Sequence, residues 1–155
     1  MTAAADTVVL GFTGKLYVNT GSYSTPVFLE CPHFKDGNLN IEANEADVST
    51  RGNGVWMAVA NGQKKGSLEF NFLYLKNNAA LPTDIQAILT AFLADAAIEL
   101  FMLDGDHLVA GNQGLRATCV IQKFSRQENL GENMQVSVVA KPTLALNPPS
   151  WYVAV

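Results

Sequence analysis

Leu68-Glu69-Phe70-Asn71-Phe72-Leu73-Tyr74 is the most regular stretch of the chain. Large apolar side chains at 68, 70, 72 and 74 alternate with Glu69, Asn71 and Leu73, the period of two of a sheet with one buried face. Two further stretches keep the same rhythm. Leu115, Ala117, Cys119 and Ile121 alternate with Arg116, Thr118, Val120 and Gln122, and Met134, Val136, Val138 and Ala140 with Gln135, Ser137, Val139 and Lys141. Shorter candidate strands fall at residues 15–19, 26–30, 38–43, 46–51, 55–60 and 98–103. Asp36-Gly37, Asn61-Gly62 and Asp104-Gly105 read as turns between them. One helix interrupts the strands at about residues 84–95. Thr83 is its expected N-cap, with Gln86 three residues on. Ile85, Ile88, Leu89, Phe92 and Leu93 share one face, and Asp84 and Asp95 lie on the wet side. The fold class is therefore α+β, mainly β: a β-sandwich or barrel with one flanking helix, in a single domain over residues 1–155.

Composition narrows the function. The chain has 155 residues, 10 Lys and Arg against 14 Asp and Glu, and only 15% charged residues, against roughly 25% in an ordinary soluble domain. A basic grip on nucleic acid, a disordered chain and a membrane-spanning helix are all poor fits. Met1–Asp6 lacks a basic region followed by an apolar one, so no secretory signal is expected. The missing charge is concentrated. Residues 1–14 carry only Asp6, and residues 52–63 and 142–155 carry none. Solvated tails are polar, so these segments are expected either to fold back or to lie against a neighbour. Residues 30–47 form an acidic zone, with Glu30, Asp36, Glu42, Glu45 and Asp47 against Lys35.

Catalytic patterns are sparse. Cys31-Pro32-His33 is half a metal site with no second pair at ligand spacing, and reads as a buried thiol and a loop histidine. Cys119 sits on an apolar strand face and reads as core. The chain holds no Gly-x-Ser-x-Gly elbow and no phosphate-binding Gly-x-x-x-x-Gly-Lys loop. The acidic zone lacks a calcium-loop pattern. No catalytic residue, metal or cofactor is expected. Trp56 and Trp151 both lie in charge-free segments, where an aromatic anchor suits a subunit contact.

Four stretches together resemble the tail tube (major tail) proteins of long-tailed bacteriophages. They are Thr13–Asn19, then Gly37–Ala58 with Glu45-Ala46-Asp47-Val48-Ser49-Thr50-Arg51 and Trp56, then Gly114–Ile121 running into Phe124-Ser125-Arg126, and finally Val136–Pro142 followed by Trp151-Tyr152. The resemblance covers nearly the whole chain. It implies a barrel-like sandwich with an N-terminal arm at 1–14, a long hairpin loop at 44–66 and a C-terminal arm at 142–155, and no immunoglobulin-like extension.

It also implies rings, typically hexameric, stacked into a hollow tube in the phage tail. The subunits would be made in the bacterial host cytoplasm. The implied partners are further copies of the chain and the tape measure, tail terminator and baseplate or distal tail proteins. DNA would pass through the lumen without specific binding. Neither enzymatic activity nor a membrane is implied. On this reading Phe12, Val55, Trp56, Trp151 and Tyr152 are expected between subunits. Glu42, Glu45, Asp47, Glu69 and Asn71 are expected to line an acidic lumen that repels DNA. Tube proteins of contractile and secretion machines are an alternative. So are a monomeric sandwich that binds a ligand by stacking it on Trp56 and Trp151, and a small metalloenzyme using Cys31 and His33.

Overall fold

A computed structural model describes residue 6, residues 8–76 and residues 79–155. Its strands are β1 (Lys15–Asn19), β2 (Phe28–Glu30), β3 (Phe34–Asp47), β4 (Val59–Leu73), β5 (Ile98–Leu103), β6 (Gln113–Gln127), β7 (Gln135–Pro142) and β8 (Ser150–Val153), with helix α1 (Thr83–Leu93) between β4 and β5. Every pairing is antiparallel, in the order β2-β1-β5-β6-β7-β4-β3, and β8 adds to β6.

This single sheet must curl. Leu16, Leu68, Ile85 and Leu100 have no exposed surface, yet α1 is the one α-helix among the described residues. Eleven residues span only about 16 Å, too little to cover a path of seven strands spaced about 4.8 Å apart. The apolar face closes on itself instead, and β1, β4, β5, β6 and β7 share one core. The corner lies in β6. Its first half, Gly114–Cys119, pairs with β5, and its second half, Cys119–Gln127, pairs with β7, with a bulge between Ile121 and Lys123. Bulges bend a strand in this way. The outcome is a two-layer sandwich, with β6-β7-β4-β3 as one four-stranded layer.

Period-two burial holds along Leu68, Phe70 and Phe72, along Leu115 to Ile121 and along Val136 to Ala140. β1 and β5 depart from it, because Tyr17, Phe101 and Leu103 are buried on the opposite face under Phe28 and Tyr152. Gly114 lies where β6 and β5 approach closely: a Cβ there would collide with the Met102 carbonyl oxygen.

Several expected boundaries shift. Asp36-Gly37 is a bulge inside β3, and Asn61-Gly62 lies inside β4. The separate strands at 38–43 and 46–51 are one strand ending at Asp47, and the hairpin reverses over residues 48–58. Cross-strand hydrogen bonding carried by 14 and 15 residues overrides local turn preference. Helix α1 begins at Thr83, which makes no side-chain cap, and ends at Leu93. Its buried side includes Asp84 and Ala91 with Ile85 and Ile88, while Leu93 faces solvent. Asp84 is drawn inward beside the Cys31 thiol.

Candidate assembly surfaces

The hairpin tip is apolar and internally braced. The Ser49 N–H donates to Asp47 Oδ1 at 2.9 Å, and the Ala58 N–H donates to Ser49 Oγ at 2.8 Å. The Thr50 N–H donates to Asn53 Oδ1 at 2.7 Å, closing a short 3-10 turn at Arg51–Asn53. Gly54 follows at φ 64°, a conformation that favours glycine. The Ser49 hydrogen bonds hold the Asp47 carboxyl below its ordinary range. On this frame Val55 and Trp56 are 97% and 80% exposed, and Val48, Met57 and Val59 are exposed beside them. An ordered loop that points five apolar side chains at water has the character of a docking surface.

The two arms differ from each other. Phe12 is 84% exposed next to the exposed Val8, Val9 and Leu10, and Thr13 Oγ1 donates to the Asp104 carbonyl at 3.0 Å. Residues 1–5 and 7 of the expected N-terminal arm lie outside the described residues. The C-terminal arm is split. Residues 143–149 project Leu144 and Leu146 almost wholly into solvent, whereas β8 folds back on β6. Trp151 is half exposed and donates Nε1–H to Gln113 Oε1 at 2.8 Å. Tyr152 packs within its own subunit, with ring centres 5.2 Å from Phe101 and 5.9 Å from Phe28. Ala154 is buried, and its N–H donates to the Asn112 carbonyl at 2.8 Å.

The acidic candidates do not form one wall. Cross-strand partners put Glu42, Glu69 and Asn71 on the face of the four-stranded layer turned away from the core. Strand alternation puts Glu45 and Asp47 on the other face of β3. The first face also carries Lys65, Lys123 and Lys141, with Asn38, Asn40, Ser67, Ser125 and Ser137 between the charges. Lys65 Nζ lies 3.4 Å from Glu42 Oε1. That face is therefore amide- and hydroxyl-rich and near charge balance, and the five residues expected along an acidic lumen are divided between the two faces of the layer. These lysines are not evident from the charge of any one segment, because the face gathers residues from four strands.

Among the described residues, no three His, Cys, Asp or Glu side chains group closely enough to hold a metal. Burial pushes the Cys119 thiol up to about 12. The Cys31 thiol is pushed higher by burial and the Asp84 charge. Both are core thiols. His107 stacks on Phe28 at 4.1 Å, with its buried Nδ1 3.5 Å from Asp106 Oδ1. The sequence had no signal for the tip residues Val48 and Met57 or for Leu144 and Leu146 beyond their place in or beside charge-poor segments.

This architecture defines a class: a curled antiparallel sandwich with one α-helix among the described residues and an exposed apolar hairpin tip. No family model matches the sequence, and no curated protein matches it. Solved structures do match the fold. A chain from the virion of a native gene transfer agent (GTA) particle superposes with a TM-score of 0.65 at 9% identity, over 92% of this chain and 98% of that one. The SPP1 tail tube gives a TM-score of 0.68 at 11% identity, over 86% of this chain and 75% of that one. The tail of an empty GTA particle, refined with C6 symmetry, gives 0.63 at 13% identity, over 88% and 95%. The chain has the tail-tube fold.

Proposed function

We propose that this chain is a structural tail-tube subunit that assembles with copies of itself into stacked, hexameric rings around a channel for DNA. One observation carries the reading: the four-stranded layer leaves both its outer edges without a strand partner among the described residues. β3 pairs only with β4, and beyond Cys119 β6 pairs only with β7. A long open edge invites pairing with another chain unless something covers it. Joining the β3 edge of one copy to the β6 edge of the next is a head-to-tail contact, and such contacts close into a ring when the rotation allows. The face turned away from the core then lines the channel. Its amides and hydroxyls, with lysines offset by carboxylates, give DNA a wall close to neutral and little net positive charge to bind.

The exposed tip and the 143–149 arm serve contacts between rings. Phe12, Val55, Trp56 and Trp151 are the interface residues, and Tyr152 supports the arm from within. Tape measure, terminator and distal tail proteins would meet the two tube ends, in a virion tail built from subunits made in the host cytoplasm. The subunit carries no enzymatic role. The monomeric binding-module reading has less support, because Trp151 lines a groove to which Trp56 does not contribute.

Negative-stain microscopy of the concentrated protein tests this. Hollow tubes with sixfold end views are expected. A protein that stays monomeric by light scattering at millimolar concentration refutes the proposal.

A further inference from the structure

The chain contains two Asn-Gly pairs, Asn53-Gly54 and Asn61-Gly62, and both lie in the β3–β4 hairpin. Glycine after asparagine leaves the following backbone nitrogen unshielded, because no side chain stands between it and the asparagine amide carbon. The two pairs have opposite surroundings. Asn61 lies in β4 opposite Glu45, and Gly62 runs close to β3: a Cβ there would meet the Asn44 carbonyl oxygen at 3.2 Å. Asn53 closes the 3-10 turn at the apex, and a Cβ on Gly54 would meet nothing within 4 Å.

We infer that Asn53 is a site of spontaneous deamidation in the unassembled subunit, and that the fold protects Asn61. The Gly54 backbone nitrogen gives its proton to solvent base and attacks Asn53 Cγ. A new N–C bond closes a five-membered succinimide ring. The Cγ–Nδ2 bond breaks, and the amide nitrogen takes a proton from solvent and leaves as ammonia. Water then opens the ring at either carbonyl, leaving aspartate or its β-linked isomer, isoaspartate. The sum is asparagine and water giving a carboxylic acid and ammonia, with water the sole co-reactant.

The apex assists the attack. Negative charge develops on Asn53 Oδ1 as Cγ becomes tetrahedral, and two donors already aim at that oxygen. They are the Thr50 N–H at 2.7 Å and the Thr50 hydroxyl at 3.1 Å. Donors placed where charge builds up lower a barrier. The Gly54 N–H donates to the Arg51 carbonyl at a long 3.3 Å, and the turn contains no buried residue, so freeing that nitrogen costs little. At Asn61 the extended backbone must leave the β3–β4 ladder before Gly62 can turn toward the side chain. The product alters the tip in two ways. A carboxylate appears two residues from Arg51, the sole charged residue of 48–58. Isoaspartate also lengthens the main chain beneath Trp56, whose N–H donates to the Asn53 carbonyl at 3.3 Å.

Peptide mass spectrometry tests this on the full-length protein, held below its assembly concentration at mildly alkaline pH. The peptide containing Asn53 is expected to gain the mass of an amide-to-acid exchange about tenfold or more faster than the peptide containing Asn61, with isoaspartate among its products. In urea the two sites are expected to convert within a few-fold of each other, because only the fold distinguishes them. Thr50→Val removes the hydroxyl donor and keeps the N–H, and it should slow Asn53 about threefold. Native rates that are equal, that favour Asn61, or that keep the ratio found in urea overturn the assignment. So does an Asn53 that stays intact in the native subunit while it converts in urea. A Thr50→Val protein that deamidates faster than the parent overturns the assisted attack, since the Thr50 hydrogen bonds would then protect the amide. None of these outcomes depends on whether the subunit forms tubes.

Discussion

Tyr152→Ala separates what the C-terminal arm does for its own subunit from what it does for a neighbour. The ring lies 5.2 Å from Phe101 and 5.9 Å from Phe28, and it closes the small core of Tyr17, Phe101 and Leu103. Aromatic pairs contribute about 0.5–1.5 kcal/mol each beyond burial. Two pairs and the lost half of a buried ring come to about 2–4 kcal/mol. In a domain of this length each kcal/mol lowers the melting temperature by about 2–4 °C, so the drop is roughly 4–16 °C. The measurement is thermal unfolding by circular dichroism at a concentration below assembly, because self-association would itself raise the melting point. The control is Leu144→Ser with Leu146→Ser. Those side chains are 99% and 96% exposed, so the pair is expected to melt within about 2 °C of the parent and yet to assemble poorly. A Tyr152→Ala protein that melts like the parent but does not assemble would show that the ring works between subunits and refute its packing on Phe101 and Phe28 as a source of stability.

Three other outcomes are expected. Trp56→Ala should leave the monomer's stability within about 0.5 kcal/mol and raise the concentration for assembly roughly 30-fold, the effect of losing about 2 kcal/mol at an aromatic anchor; sedimentation across a dilution series measures this. Arg116 and Glu99 form an ion pair in which both side chains are almost buried, and Arg116 also lies 3.7 Å over the Tyr23 ring. Arg116→Met should cost about 3–5 kcal/mol in urea unfolding, and adding Glu99→Gln should recover much of the loss. Cys119 has its folded pKa raised from 9.0 to about 12, so it favours the folded state below pH 9, and that contribution fades as pH rises from 9 toward 12. Stability should fall by about 1.4 kcal/mol per pH unit for this thiol, with Cys31 and Tyr17 adding the same sign, and Cys119→Ala should remove its share of the alkaline slope.

Strands whose burial follows a strict alternation were legible in the sequence. Leu68 to Phe72, Leu115 to Ile121 and Val136 to Ala140 lie on the core face because a period of two leaves one face apolar. The apolar stripe of α1 was legible for Ile85 and Ile88, but not its edge. Whether Asp84 or Leu93 turns inward depends on what lies opposite, and Asp84 meets Cys31 from a distant part of the chain. The charge-free segments marked the tip and both arms as unusual. They did not distinguish Tyr152, buried at home, from Trp56, turned outward, since both are aromatic side chains in uncharged surroundings.

Composition and period determined a mainly β sandwich with one helix, buried thiols and a surface short of charge, because alternation, helical spacing and side-chain polarity are properties of neighbouring residues. Tertiary structure decided the rest. It placed the corner of the sheet at the β6 bulge, left the edges of β3 and β6 without a strand partner among the described residues, and gathered lysines from three strands among the carboxylates of one face. Those features arise between residues tens of positions apart. Their placement follows from strand register and sheet curl, and no local stretch of sequence encodes either.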